Sequence, residues 1–311
     1  MRSNQNQAGT RKKKEVTIPQ QLPSQQISYW TWWLPLFGLV WLVFVFTTFR
    51  QPVALIQQNW PLIFVGLAAA LIGNITAVGG GIVFVPAMLF AFHLPAVMAL
   101  KVAIASQVFG MTSGAIGWLR RGLVPLKALQ ATVPGLLIGS SISSLLIHPN
   151  ALLVKGLFGP VSIILGILTL TLLNRHRSSA SIEMPARASK PLFLVSIVGG
   201  LLTGWVAIGE GEVIAAFLML VYGFNPSSSI GLGVTLLSIN SIYLALIHNF
   251  VLGGIPWHIA AFTILGCVYG AGLGPYLSQW IPMRFLRIGF AVIAILDGLI
   301  FLLQFLLSGP H

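Results

Sequence analysis

Charge is what this sequence has least of. Charged residues make up 7% of its 311 residues, and only five of them are Asp or Glu. A soluble domain carries roughly a quarter charged residues, because its surface faces water. So few charges exclude an ordinary soluble domain. The hydrophobic fraction of 56% and the mean hydropathy of +0.92 predict an integral membrane protein.

Cysteine is nearly absent as well. The single cysteine, Cys267, lies in an apolar run, so no intrachain disulfide can form and no Cys/His cluster indicates a metal centre. The sequence also lacks a P-loop, which argues against direct ATP drive, and it lacks an HExxH or other catalytic motif. We therefore expect no enzyme activity, no catalytic residues and no cofactor.

The basic residues that are present do not indicate nucleic-acid binding, although the net charge is +12. They occur in short clusters between apolar runs, as the positive-inside rule predicts for membrane proteins. Membrane lipids are therefore the expected partners, and nucleic acid is not. The oligomeric state, including a homo-oligomer, stays open at this point.

Apolar runs of about 20 residues are long enough to cross the hydrocarbon core as helices. Such runs lie near residues 30–49, 95–119, 126–147, 151–173, 227–250, 256–278 and 284–307. Two further apolar segments, 61–92 and 191–222, are interrupted by glycines. The polar residues 1–29 predict a disordered cytoplasmic tail.

The sequence also repeats itself. A shift of about 130 residues aligns AVGGGIVF (77–84) with AIGEGEVI (207–214), and a shift of about 131 aligns GLVP (122–125) with GGIP (253–256). The second shift also pairs Gly135 with Gly266. These pairs predict an extra helix at 30–60, a first repeat at 61–173, a cytoplasmic linker at 174–190 and a second repeat at 191–307.

The basic clusters bear on the topology. If each glycine-broken segment dips into the membrane and returns, the tail, the linker, Arg120, Arg121, Lys127, Arg284 and Arg287 all become cytoplasmic. Only Arg50, Lys101 and Lys155 then lie near the outer face. Full crossing of both segments, with the tail outside, is the alternative.

The first of these topologies makes the two repeats inverted, which is a recurring plan of secondary transporters. The predicted fold is therefore an all-α polytopic membrane protein. It has one extra N-terminal helix and two inverted repeats, each made of a glycine-broken segment followed by three transmembrane helices.

The glycine interruptions are the first candidate site. They comprise Gly79, Gly80 and Gly81 in one repeat and Gly209 and Gly211 in the other. Irregular backbone at membrane depth needs polar partners, and the amides that begin a half-helix suit an anion. The alternative interpretation is that these glycines serve close helix packing.

The motif GNITAVGGGIVFVPAMLF, followed by GLVP and by a weaker copy in the second half, resembles the TauE/SafE-type sulfite exporter family. The resemblance covers about residues 60–307. It implies a multi-pass permease of the cytoplasmic membrane for small sulfur-containing anions such as sulfite, sulfonates or thiosulfate. The second motif departs from the first, because Glu210 stands in the place of Gly80 and Glu212 in the place of Ile82.

Glu210 and Glu212 are the second candidate site, because an acid within the membrane is a functional candidate by default. A carboxylate that exchanges protons there would link proton movement to anion movement. Two alternatives remain open. The acids could cap the half-helix that follows the interruption, or they could hold a cation in a cation or metal permease.

Other polar residues inside the spans are candidates for binding the anion. They are Lys101, Gln107, Thr112, Ser238 and Asn240. Lys101 would balance the charge of the anion, unless it extends to the outer interface or pairs with Asp297. The neutral residues would donate hydrogen bonds, unless they only join helices. His93, His248 and His258 lie near span ends, where an interfacial position is expected.

Overall fold

The computed structural model describes residues 24–76, 80–173, 184, 186–280 and 283–308. Every regular element in these ranges is helical, which confirms the predicted all-α class. The helices are α1 (Ser24–Thr48), α2 (Pro52–Asn59), α3 (Pro61–Thr76), α4 (Gly81–Pro86), α5 (Ala96–Arg120), α6 (Leu126–Ser141), α7 (Ala151–Leu173), α8 (Ser189–Val206), α9 (Glu210–Tyr222), α10 (Pro226–Phe250), α11 (Trp257–Trp280) and α12 (Met283–Ser308). Short π-helical turns extend α4 to Ala91 and α6 to Leu146.

Length and apolar composition make this a multi-pass membrane protein. Six of the described helices are long and apolar enough to cross a membrane, and a seventh span results if α2 and α3 count as one helix bent by 55°. The bend between α2 and α3 is absent from the sequence prediction, which assigned residues 30–60 to one extra helix. Helix α1 begins at Ser24, so it starts before the predicted span at 30–49 and includes the last residues of the predicted tail 1–29.

Both predicted interruptions are present. Helix α3 ends at Thr76 and α4 begins at Gly81, whereas α8 ends at Val206 and α9 begins at Glu210. In the second interruption Ala207 (φ 58°) and Gly209 (φ 113°) have left-handed backbone, which stops α8. Gly81 and Gly211 belong to the following helices rather than to the breaks. Gly79 lies outside the described residues.

The packing of the helices follows the sequence repeat. The largest interhelical contacts join α3 to α11, α6 to α8, α7 to α12 and α5 to α10. Glycines make two of these contacts reciprocal, since Gly266 packs on the backbone of Ile63 and Gly135 packs on the backbone of Phe193. Gly266 matches Gly135 in the repeat, and Phe193 matches Ile63. Each half therefore supplies glycines to the other half.

Matching helices of the two halves run antiparallel. In the α5–α10 pair, Lys101 near the start of α5 contacts Leu252 just after α10, and Thr112 contacts Ser238 further along. In the α7–α12 pair, Gly156 packs on Phe305 and Gly166 packs on Ala291. Antiparallel matching helices are what inverted repeats require. The arrangement of the two repeats in the membrane stays a prediction.

The second broken segment returns on itself. Helix α9 starts beside the middle of α8, where a Cβ added at Gly199 would lie 3.1 Å from Glu210 Cα. Near the other end, one buried cluster joins Ala188 at the start of α8 to Leu218 and Phe224 at the end of α9, and it also includes Val124. This geometry favours the re-entrant alternative for 191–222, with residues near 124 and 188 at the same end of the molecule.

The reciprocal glycine contacts predict a steric penalty that depends on position. The change Gly266→Ala places a Cβ against the Ile63 carbonyl group, at 2.8 Å from its carbon. We expect a loss of about 1–3 kcal/mol in the free energy of unfolding, as for other overpacked cores. Gly289→Ala on α12 is the control, because its Cβ would meet nothing within 4 Å. Thermal unfolding in detergent measures both, and equal midpoints would contradict the packing argument.

The re-entrant topology makes a separate prediction. Lys127 and Lys155 are both exposed and lie at the starts of consecutive helices, α6 and α7. We expect Lys127→Cys to react with an impermeant thiol reagent only from the cytoplasmic side and Lys155→Cys only from the outside. The native Cys267 is buried, so it adds little background. External labelling of Lys127→Cys would overturn the topology.

Candidate functional site

The two helix interruptions touch each other inside the bundle. Gly81, the first residue of α4, packs on Ala207 and Ile208 of the second interruption. A Cβ added at Gly81 would lie 2.7 Å from Ile208 Cγ2 and 2.9 Å from the carbonyl carbon of Ala207. Only glycine permits this approach. The segments that the sequence singled out as separate breaks therefore form one region.

Gln107 connects this region to α5 and α10. Its Nε2 donates to the carbonyl oxygen of Ala207 at 2.8 Å, and its Oε1 accepts a hydrogen bond from Ser241 Oγ at 3.2 Å. Gln107 is buried. The residue thus supplies the hydrogen bond that an interrupted helix leaves open, as irregular backbone at membrane depth requires.

Glu210 stands at the start of α9, directly after the interruption, and is fully buried. Its Oε2 accepts a hydrogen bond from Asn240 Nδ2 on α10. Asn240 Oδ1 in turn accepts from Ser140 Oγ on α6 at 2.7 Å. Asn240 therefore links the carboxylate on α9 to Ser140 on α6. Glu210 Oε1 has no hydrogen-bond partner among the described residues.

These contacts bear on the capping alternative for Glu210, whereas capping by Glu212 stays a prediction. An N-terminal capping role is wrong for Glu210, because its Oε2 binds a side chain of another helix and its Oε1 accepts no amide. Glu212 is also buried, in the first turn of α9. Two acids therefore lie inside the bundle next to the contact between the interruptions.

Thr112 and Ser238 form a further polar contact between α5 and α10. Their hydroxyl oxygens are 2.8 Å apart, a hydrogen bond within the membrane-spanning part of both helices. The repeat pairs Ser238 with Gln107, yet Ser238 binds Thr112 and it is Ser241 that binds Gln107. The predicted neutral residues therefore share the α5–α10 interface.

Lys101 lies outside the region around the two interruptions. Its Nζ donates to the carbonyl oxygens of Leu252 and Gly254, in the loop after α10. The suggested pair with Asp297 is therefore wrong. His248 also departs from expectation, since it is fully buried rather than interfacial, whereas His93 and His258 are exposed.

Sequence reasoning missed several residues of this region. Ser140 and Ser241 complete the hydrogen bonds of Asn240 and Gln107, and Gly199 allows Glu210 to approach α8. The serine-rich stretch GSSISS (139–144) is a signal that could have found Ser140. Ser241 carries no comparable signal, because its role depends on how α10 is rotated against α5.

Comparison with known proteins bears on the same segments. The family model described as Sulfite exporter TauE/SafE matches residues 62–301. The chain belongs to this family. It is accordingly a membrane transporter and not an enzyme.

Three relatives match this chain over nearly their whole length. This chain is similar to the probable membrane transporter protein YunE of Bacillus subtilis (strain 168), at 22% identity over 76% of this chain and 94% of the relative. YjnA of the same strain, also a probable membrane transporter protein, is 22% identical over 76% of this chain and 97% of its own. MJ0441 of Methanocaldococcus jannaschii, with the same description, is 26% identical over 78% and 94%. No solved structure matches.

The contact between Glu210 and Asn240 predicts a coupled effect on stability. Asn240→Leu leaves a buried carboxylate oxygen without its donor, and we expect a loss of about 1–3 kcal/mol in the free energy of unfolding. The double change Asn240→Leu with Glu210→Leu removes both partners and should recover much of that loss. Thermal unfolding in detergent of the four proteins gives the coupling energy. Strictly additive losses would show that the two side chains do not interact.

Proposed function

We propose that this transporter moves a small sulfur-containing anion, such as sulfite, a sulfonate or thiosulfate, across the cytoplasmic membrane, with protons as the coupling ion. The observation that carries the proposal is the fully buried carboxylate of Glu210, which adjoins the contact between the two helix interruptions. Substrate sites of secondary transporters commonly lie where broken helices meet near the midplane.

Neutral hydrogen-bond donors near this contact support an anion as the substrate. Gln107, Thr112 and Ser238 lie on α5 and α10, within about two helical turns of one another along each helix. An oxyanion accepts hydrogen bonds from amide and hydroxyl groups without requiring a full countercharge. The glycines at 79–81, 209 and 211 belong to the same proposed site, where Gly81 allows the two interruptions to pack against each other.

The geometry of Glu210 supports protons as the coupling ion. Oε2 already accepts the Asn240 amide, so a proton on this carboxyl group would reside on Oε1. An ionised Glu210 repels an anion nearby, and this repulsion is strong where water is scarce. A protonated Glu210 does not repel it. Binding of the anion therefore favours the protonated acid, so that anion and proton move in the same direction.

A cation or metal permease is the second candidate, favoured by the two buried acids Glu210 and Glu212 in one helical turn. Carboxylate oxygens bind hard cations. In that case Glu210→Gln would abolish cation flux, and no anion would move. A flux assay therefore separates the two candidates directly.

The test uses purified protein in proteoliposomes, with sulfite, thiosulfate, a sulfonate or a divalent cation, with and without a pH gradient. We expect wild-type flux of at least one sulfur anion, accelerated by the gradient. Glu210→Gln keeps the acceptor for Asn240 but cannot exchange a proton, so its flux should persist without acceleration by the gradient.

Asp297→Asn is the matched control, because it removes an acid on α12 that is remote in sequence from the Glu210 network. We expect this variant to keep the wild-type response to the gradient. Wild-type anion flux that ignores the gradient, or a Glu210→Gln variant that still responds to it, would overturn proton coupling. Cation flux without anion flux would overturn the anion proposal.

A further inference from the structure

The two ends of the α5–α10 pair correspond through the repeat but differ in chemistry. At one end of the pair, the start of α5 faces the loop between α10 and α11. At the other end, the start of α10 takes the place that the start of α5 has at the first end. The first end holds an open pocket of about 380 Å³. Its walls are the first turns of α5, from Pro95 to Lys101, and the loop Gly253–Pro256.

Lys101 provides a positive charge at this pocket. Its ammonium group has three N–H donors. Two of them bind the carbonyl oxygens of Leu252 and Gly254, the latter at 2.9 Å. One donor is left for a ligand in the pocket that Lys101 lines. The carbonyl contacts also hold the ammonium group in place, which reduces the ordering cost when a ligand binds.

The start of α5 adds uncapped backbone amides. No side chain caps this helix at Pro95, and Val97 and Met98 of its first turn line the pocket. The first amides of a helix have no partner within the helix and favour an anion. Together with Lys101 they make the pocket suitable for a negatively charged ligand.

The corresponding end of the α5–α10 pair differs in both the cap and the lysine. Asn225 caps α10, because its Oδ1 accepts from the amides of Ser227 at 2.9 Å and Ser228 at 3.3 Å. The N-cap position of α5 is Pro95, whose side chain has no acceptor. A shift of 131 residues pairs Lys101 with the buried apolar Leu232. The matched positions of α10 therefore carry neither the uncapped amides nor the lysine, and the positive charge at that end comes from Arg120 and Arg121 at the end of α5.

His248 is a further difference between the two ends of the α5–α10 pair. It lies near the end of α10, and its carbonyl oxygen accepts from the amide of Gly254 at 3.0 Å, directly under the loop that Lys101 binds. The ring is fully buried, and neither nitrogen has a hydrogen-bond partner among the described residues. Gly117 stands at the corresponding position of the other half.

We propose that the pocket between the start of α5 and the loop Gly253–Pro256 binds a small oxyanion at the face of the membrane where this pocket lies. Lys101 and the first amides of α5 hold the anion there. Gln107 lies six residues further along α5, about 9 Å at 1.5 Å per residue, so an anion at Lys101 is one step from the central site. This inference rests on the proposed anion transport, and it assigns the predicted outer face as the side with this additional site.

The test presents sulfite to right-side-out and inside-out membrane vesicles that contain the full chain. We expect Lys101→Met to raise the half-saturating sulfite concentration about tenfold at the face that bears the pocket, the effect of losing one charged hydrogen bond. The opposite face and the maximal rate should be unchanged. Lys155→Met, an exposed lysine on the same predicted side, is the matched control and should match the wild type.

If the Lys101→Met protein does not fold, a second variant tests the same pocket. Pro95→Asn introduces at the N-cap position of α5 the side-chain acceptor that Asn225 gives α10, so it should occupy the amides and weaken the same face several-fold. Lys101→Arg should restore the wild-type affinity at least in part. Equal shifts at both faces, or no shift for both Lys101→Met and Pro95→Asn, would overturn the site.

Binding of radiolabelled thiosulfate to the purified protein in detergent separates this inference from the proposed function. Binding that depends on Lys101, without any anion flux in vesicles, would reject anion transport and keep an anion site. Anion flux with no effect of Lys101→Met on binding or on either face would reject the site and keep anion transport.

Discussion

The fold depends on satisfying polar backbone where helices stop inside the bundle. Hydrocarbon offers no hydrogen bonds, so an interrupted helix in a membrane protein needs partners from neighbouring helices. Here the Ala207 carbonyl finds Gln107, and Gly81 packs so closely on Ala207 that the first interruption covers the second. Helices α5 and α10 must therefore pass beside the interruptions. That requirement places the polar side chains of α5 and α10 around the contact between the two interruptions.

Composition and glycine pattern predict the class, the interruptions and the internal repeat, because these properties are local or periodic in sequence. The repeat even anticipates which glycines have equivalent roles, since Gly135 and Gly266 pack on matching backbone positions. The bend between α2 and α3 could not be read in the same way. Pro52 and Pro61 begin these helices, but the sequence does not state the angle between them.

The hydrogen-bond partners of the polar residues could not be predicted from the sequence. Asn240 and Glu210 are thirty residues apart, and whether they meet depends on how α10 is rotated against α9. Lys101 illustrates the same limit, because its carbonyl partners belong to a loop whose path is set by two consecutive glycines with positive φ, Gly253 and Gly254. A buried His248 could not be distinguished from an interfacial one for the same reason.

A symmetric scaffold with asymmetric chemistry has a packing reason. Gly80 holds the place that Glu210 holds in the other half, and a Cβ at Gly80 would lie 2.8 Å from the ring of the buried Phe84. Position 80 therefore has no room for the side chain that position 210 carries. A further carboxylate beside Glu210 and Glu212 would also add like-charge repulsion in a site with little water. The acid at this place is therefore confined to the second repeat, while the first repeat contributes Gly81 at the contact and the polar side chains of Gln107 and Ser140.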